Sequence, residues 1–421
     1  MPRRAVVAAL ILSSACHSST TSSPASAQPD SLAIRRDIDY LASMPLGGRL
    51  TGTAGNDSAA AFLGRRYASL KLTPAAPNYL QHFVARPATH NGPAPSLPTQ
   101  NVVAILRGTD PKLAGEYVVI GAHFDHLGLS TDGALDPDDH KSVRRGADDN
   151  ASGTAAVLEL ARLFASSPAR RSMIFVNFSG EEEGLLGSAY FVDHMPVPVD
   201  SVDAMLNFDM VGRLRDDKLI VYGVATATEL PSLLEAANTT THLTIRAQGD
   251  GFGPSDHSSF YAKDIPVLHF FTDLHDDYHR ASDTPDKING AGEARVVALA
   301  ERVARSIADR DARVTYVRVA APVQATNREG SSDVYFGSIP DMANGDTPGL
   351  KLTGVRAGSP ADQGGIKAGD IVVEFAGVAV KDLQDYSNAL YAHKPGDEVT
   401  VVVLRGGQRV SMRVKLGKRG G

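Results

Sequence analysis

Between Asn101 and Ile307, short apolar runs alternate with helical stretches, and this alternation most constrains how the chain can fold. Asn101–Leu106, Tyr117–Gly121, Met173–Phe178, Ala204–Phe208, Lys218–Tyr222 and Pro266–Phe271 read as strands. Ser152–Phe164, Leu230–Ala237 and Glu293–Ile307 read as helices between and after them. Such alternation predicts a three-layer α/β domain. Upstream, Asp30 is placed to cap a helix carrying Leu32, Ile38 and Leu41, and a second helix is expected over Asp57–Leu70.

The pattern loosens from Val314 to Ser332. The remainder of the chain is strand-rich: Leu350–Val355, Asp370–Phe375, Glu398–Leu404 and Arg409–Lys415, with one helix over Leu383–Ala392. Gly and Pro punctuate it, as in Gly358-Ser359-Pro360 and Lys394-Pro395-Gly396. Residues 333–421 therefore read as a second domain, 314–332 as a linker and 30–313 as the first domain. A length of 421 residues fits two domains.

The net charge of -6 leaves no basic footprint, which argues against a nucleic-acid partner. The N-terminus has the pattern of an export signal. Arg3 and Arg4 precede the apolar run Ala5–Leu12, which is too short to span a bilayer. Ser13-Ser14-Ala15 then leads to Cys16, the only cysteine. This resembles a bacterial lipoprotein signal over 1–16, with Cys16 as the lipidation site and Ser13 standing where Leu is usual. An ordinary secretory signal cleaved near Ala25-Ser26-Ala27 is the alternative. Residues 17–29 are Ser/Thr/Ala/Pro-rich and read as a disordered tether. The protein is expected in the cell envelope or periplasm, touching a membrane only through a lipid anchor.

Chemistry-bearing residues sit at or just after the strand ends, where open α/β sheets place their binding crevice. His123 ends one strand in His-Phe-Asp-His-Leu-Gly, with Asp125 two residues on and His126 as a competing imidazole that needs a different backbone direction. Asp148 and Asp149 lie together before a helix, where either could cap it or serve a metal. Glu181-Glu182-Glu183 follows a core strand. Adjacent residues point in different directions, so one glutamate can ligate a cation while its neighbour faces a water. Asp209 ends an apolar run, a costly place for an unpaired carboxylate. His279 follows Tyr278 in a loop crowded with Asp273, His275, Asp276 and Asp277. Two imidazoles and three carboxylates are what two adjacent divalent cations need, and the pattern points to metal-assisted hydrolysis.

Together, in order, these contexts resemble the zinc aminopeptidases of metallopeptidase clan MH, over about residues 35 to 310. That clan includes bacterial leucine aminopeptidases and, more distantly, glutamate carboxypeptidase II. The resemblance implies a three-layer zinc-exopeptidase fold with a mixed central sheet and two zinc ions per chain. It implies that Asp149 bridges the metals and precedes a cis peptide to Asn150. His123 and Asp209 would complete one zinc position, Glu182 and His279 the other. Asp125 would orient His123, Glu181 would be the general base and Tyr278 would stabilise the oxyanion. Ser255-Asp256-His257 also matches a family segment near the site. The implied substrates are peptides with free N-termini. A carboxypeptidase and a glutaminyl cyclase, the latter with one functional zinc, are alternatives within the fold.

The tail resembles a PDZ domain of the kind attached to bacterial envelope proteases. The residues that carry this are Tyr335-Phe336-Gly337-Ser338-Ile339, Gly358-Ser359-Pro360-Ala361 and Gly365-Ile366-Lys367-Ala368-Gly369-Asp370. PDZ domains bind extended C-termini by adding a strand to a sheet edge. Phe336, Gly337, Ser338 and Ile339 would form that peptide site. A scaffold acting through this module, with an inactive peptidase domain, is the alternative from another functional class.

Overall fold

The structure is a computed structural model and describes residues 28–87, 96–131, 133–136, 138–319, 334–340, 349–355, 358–381 and 383–418. Cys16, the expected signal and most of the tether lie outside the described residues. So does the linker from residue 320 onward.

Helix α1 (Ser31–Leu41) starts where Asp30 accepts from the N–H groups of Leu32 and Ala33. It buries Ile34, Ile38 and Leu41, whereas Leu32 is 72% exposed because it lies across the helix from that stripe. Helix α2 (Ala54–Ser69) begins at Ala54 rather than Asp57, capped by the Thr53 hydroxyl.

Strands β1 (Thr73–Pro74) and β2 (Leu80–Ala85) pair with β3 (Leu97–Leu106). The sheet continues through β4 (Tyr117–His123), β5 (Ser172–Phe178), β6 (Val202–Phe208), β7 (Lys218–Tyr222), β8 (Thr244–Ala247) and β9 (Val267–Phe271). In space the order is β1-β3-β5-β4-β6-β9-β7-β8. The centre, β5-β4-β6-β9, is parallel; β3 and β7 join it antiparallel. The sheet is thus mixed.

Alternate residues of the central strands serve different faces. Val118, Ile120, Ala204, Leu206 and Phe208 join the large core with α1, α2, α3 (Gly153–Ser166), α5 (Leu230–Thr241) and α7 (Gly290–Ala308). Val119, Ile174, Val176, Phe178 and Met205 face the other way, toward α4 (Leu186–Asp193) and α6 (His257–Tyr261). Covering both faces is why these strands are continuously apolar rather than alternating.

Arg49 is fully buried and joins the first segment to the site. Its guanidinium donates to the carbonyls of Phe124 (2.6 Å), Leu41 (2.7 Å), Arg145 (2.8 Å) and Gly146 (2.9 Å). A lysine ammonium cannot span four acceptors in that fan. Arg49→Lys is expected to destabilise the domain by about 3–5 kcal/mol, seen as a lowered urea midpoint. An unchanged midpoint would show that the fan carries no stability.

Glu293, in the first turn of α7, is fully buried, and neither carboxyl oxygen has a hydrogen-bond partner among the described residues. Burial, with Asp148 and Asp37 nearby, pushes its carboxyl well above the usual range. The folded state therefore holds a proton that the unfolded chain releases above about pH 4.3. This group's contribution to stability falls as pH rises from there toward the folded pKa. Glu293→Gln should be nearly neutral at pH 4 and stabilising by about 1–3 kcal/mol at pH 8, measured by thermal melts at both pH values.

The second domain has its own core of Phe336, Leu352, Val372, Phe375, Val401 and Val403 among others. Strand β10 (Val334–Tyr335) pairs with the last strand, β17 (Gly417–Lys418). The larger sheet has the order β11 (Ser338–Pro340), β12 (Leu350–Val355), β13 (Ile371–Phe375), β15 (Glu398–Arg405), β16 (Gln408–Lys415). Strand β14 (Val378–Ala379) pairs with β13, and helices α8 (Pro360–Gln363) and α9 (Leu383–Tyr391) complete it.

Candidate active site

Parallel pairing sets His123 opposite Phe178 and Gly121 opposite Asn207, so β4, β5 and β6 end level with one another. The chain leaves those ends through His123, Glu181-Glu182 and Asp209. The turn Ala147–Ser152 before α3 brings in Asp149, and the loop after β9 brings in His279.

His123 Nε2 lies 3.4 Å from Asp149 Oδ1 and 3.4 Å from Asp209 Oδ1. On the other side of the same carboxylate, Asp149 Oδ2 lies 3.1 Å from His279 Nε2, which is 3.2 Å from Glu182 Oε2. Ligand atoms arranged tetrahedrally about zinc at roughly 2.0–2.2 Å are about 3.4 Å apart. All five expected ligands are thus brought together, and Asp149 presents one oxygen to each group. Asp209 Oδ1 is buried with no hydrogen-bond partner among the described residues, a costly state that a cation relieves. The donor set fits zinc.

Residues 101–304 match the family described as Peptidase family M28, and residues 323–416 match that described as PDZ domain. This chain carries an M28 peptidase domain followed by a PDZ domain. A probable zinc metalloprotease of Pyrenophora teres f. teres is 35% identical over 143 residues, 33% of this chain and 29% of that protein. Aminopeptidase YwaD of Bacillus subtilis is 27% identical over 225 residues, 49% of this chain and 45% of that protein. The chain thus spans less than half the length of either relative. Two solved structures from Bacteroides thetaiotaomicron share the fold with TM-scores of 0.57 at 17% identity. One is a leucine aminopeptidase precursor and the other a glutaminyl cyclase bound to N-acetylhistamine. Each covers 67% of this chain, and this chain covers 98% and 99% of theirs.

The M28 site is held by a dense polar shell. Gly146 has φ 57°, and a Cβ there would come within 2.0 Å of the Asp149 carbonyl, so only glycine opens this turn. The Asp149–Asn150 peptide is cis, as the resemblance implies. Asn150 ties the turn to β6, donating to the Phe208 carbonyl (2.9 Å) and accepting from the Gly153 N–H (2.8 Å). Asp283 Oδ2 accepts from the N–H groups of Asp148 (2.9 Å) and Asp149 (3.1 Å). Asp148 itself turns away from the cluster, accepting from the Gly212 N–H (2.7 Å) and meeting His275 Nε2 at 3.0 Å. His279 Nδ1 meets the Gly133 carbonyl at 2.9 Å, which fixes the ring with Nε2 toward the cluster.

Asp125 is buried under the glutamates. It accepts, with long bonds, from the N–H groups of Glu181 (3.3 Å) and Glu182 (3.4 Å). Its carboxylate is 3.7 Å from His123 Nδ1, farther than its own main-chain carbonyl at 3.3 Å. Both ends of Asp125 therefore face that imidazole. Glu181 Oε2 stands 3.9 Å from His123 Nε2, outside the tighter contacts. Tyr278 stacks on His279 with ring centroids 3.9 Å apart. Ser255 donates to Asp209 Oδ2 at 2.9 Å.

Charge follows position. Burial alone would raise Asp149, but His123 and His279 hold it well below the usual carboxylate range. Burial is likewise outweighed at Glu182, where His279 and His126 bring it down to about 2. Glu181 goes the other way: burial pushes it well above the usual range against the pull of His123. Burial also pushes Tyr278 well above its ordinary value, with the site's carboxylates adding to the rise, so its hydroxyl stays a donor.

Sequence reasoning sets His126 aside, yet its ring is buried with Nδ1 2.7 Å from Glu182 Oε1. It also passes over Asp283, His275 and the Gly133 carbonyl.

In the PDZ domain, Phe336 is buried and its carbonyl accepts from the Ala361 N–H at 2.9 Å. Gly337 has φ 86°, and a Cβ there would meet Ser359 Cβ at 2.2 Å. The Ser338 hydroxyl lies 2.6 Å from the Tyr386 hydroxyl of α9. Ile339 pairs with Gly354 in β11, the terminal strand of its sheet.

Proposed function

We propose that this chain is an exported di-zinc aminopeptidase that removes N-terminal residues from peptides and carries a PDZ module for extended peptide ends. The observation that carries the reading is Asp149, whose two oxygens face two separate histidine and carboxylate groups. His123, Asp149 and Asp209 would hold one zinc; Asp149, Glu182 and His279 the other. Zinc supplies Lewis acidity there, polarising a carbonyl and lowering the pKa of a water. Glu181, whose Oε2 stands 3.9 Å from His123 Nε2 and outside the tighter ligand contacts, would accept a water's proton and return it to the leaving amine. Asp125 sets the backbone of the glutamate pair, and the Tyr278 hydroxyl donates to the carbonyl oxygen as it gains charge.

The complete second group of ligands favours this reading over cyclase chemistry with one functional zinc. Metal analysis of dialysed protein tests it: two zinc equivalents are expected, and one would move the assignment toward the cyclase. We further propose peptide binding along β11 beside Phe336–Ile339, the membrane contact being a lipid on Cys16, with the domains spanning 30–313 and 333–421. Envelope fractionation of the wild type and Cys16→Ser tests the anchor. Release of the variant into the soluble periplasm supports it, and unchanged membrane association contradicts it.

A further inference from the structure

Glu182 faces a different histidine at each oxygen. Oε2 lies 3.2 Å from His279 Nε2, on the side of Asp149. Oε1 lies 2.7 Å from His126 Nδ1, a hydrogen-bond distance. The His126 ring has no room to turn. It is fully buried, and a Cβ on Gly146 would come within 2.5 Å of its Cγ and Cδ2 atoms. Its plane stands at 72° to the His279 ring, with centroids 5.7 Å apart. Its Nε2 has no hydrogen-bond partner among the described residues, so the bond to Glu182 is its polar anchor.

A free carboxylate can turn about its last bond and offer a cation one oxygen or both. We infer that His126 is a positioning residue for the second cation: it occupies Oε1, so that Glu182 offers Oε2 alone, beside Asp149 and His279. This rests on the two-cation reading. His279 is better placed than His126 to share a cation with Asp149, since its Nε2 is 3.1 Å from Oδ2 while His126 Nδ1 is 3.8 Å away. His126 therefore acts through Glu182. Losing a partner of this kind weakens metal binding by about 10- to 100-fold.

The test is a zinc titration of the full-length apo protein against a chromophoric chelator, comparing wild type, His126→Phe and His126→Asn. Phenylalanine keeps the ring volume without the donor; the asparagine amide nitrogen sits close to where Nδ1 was. Expected are two equivalents in the wild type. His126→Phe should bind the first normally and the second about 10- to 100-fold more weakly, and His126→Asn should bind the second within a few-fold of wild type. Unchanged binding by His126→Phe overturns the inference, as does an asparagine variant as weak as phenylalanine. A zinc–Nδ1 bond in a zinc-loaded crystal structure would overturn it too, making His126 a ligand. A wild type that binds one equivalent sinks the two-cation reading first, and the inference with it.

Discussion

Replacing Glu181 by glutamine is expected to leave two zinc equivalents bound and to slow turnover by about 100- to 10,000-fold. Glu181 Oε2 is 3.9 Å from His123 Nε2, whereas Asp149 and Asp209 stand at 3.4 Å. Its carboxylate is therefore not needed to complete either group of ligands. Glutamine keeps the shape and the main-chain bond to Asp125 but removes the oxygen that takes a proton. Turnover and zinc content measured on one preparation separate the two roles. If zinc is lost along with activity, Glu181 is a ligand and the division of labour within Glu181-Glu182 is wrong.

Asp149→Asn is expected to do the opposite and strip metal first. An amide offers one acceptor oxygen, while Asp149 faces His123 with Oδ1 and His279 with Oδ2. We expect zinc content to fall below one equivalent after dialysis, with activity reduced at least about 100-fold. Melting should change in step. A ligand at about 1,000 times its Kd stabilises the folded state by about 4 kcal/mol, so added zinc should raise the wild-type Tm and leave the variant nearly unmoved. Two equivalents retained by Asp149→Asn would show that this carboxylate bridges nothing.

The central strands are legible in the sequence because both their faces are covered, which makes them continuously apolar. Strands β2 and β8 are not: β2 lies off the main sheet path, β8 is an edge strand, and each carries exposed positions that blur the pattern. Strand-end placement points to His123, Glu181-Glu182 and Asp209, because parallel strands that end level bring their exits together. Choosing Asp149 over Asp148 needs the motif match, and the structure supplies the reason: Asp148 is engaged by Gly212 and His275. Backbone direction argues against His126 in the sequence. After His123, however, the chain runs inward through buried Phe124 and Asp125, and His126 meets Glu182 instead of leaving the site. Asp283 is hidden for another reason. Its bonds to the Asp148–Asp149 turn span more than a hundred residues, and its loop is crowded with other acids.

The most direct test of the central claim pairs an aminoacyl-4-nitroanilide with its N-acetylated twin, each offered to the zinc-reconstituted protein. Cleavage of the free-amine substrate, abolished by chelation and restored by zinc, with the acetylated twin untouched, is the predicted result. Cleavage of both alike, or of neither by a protein carrying two zinc equivalents, would contradict an aminopeptidase.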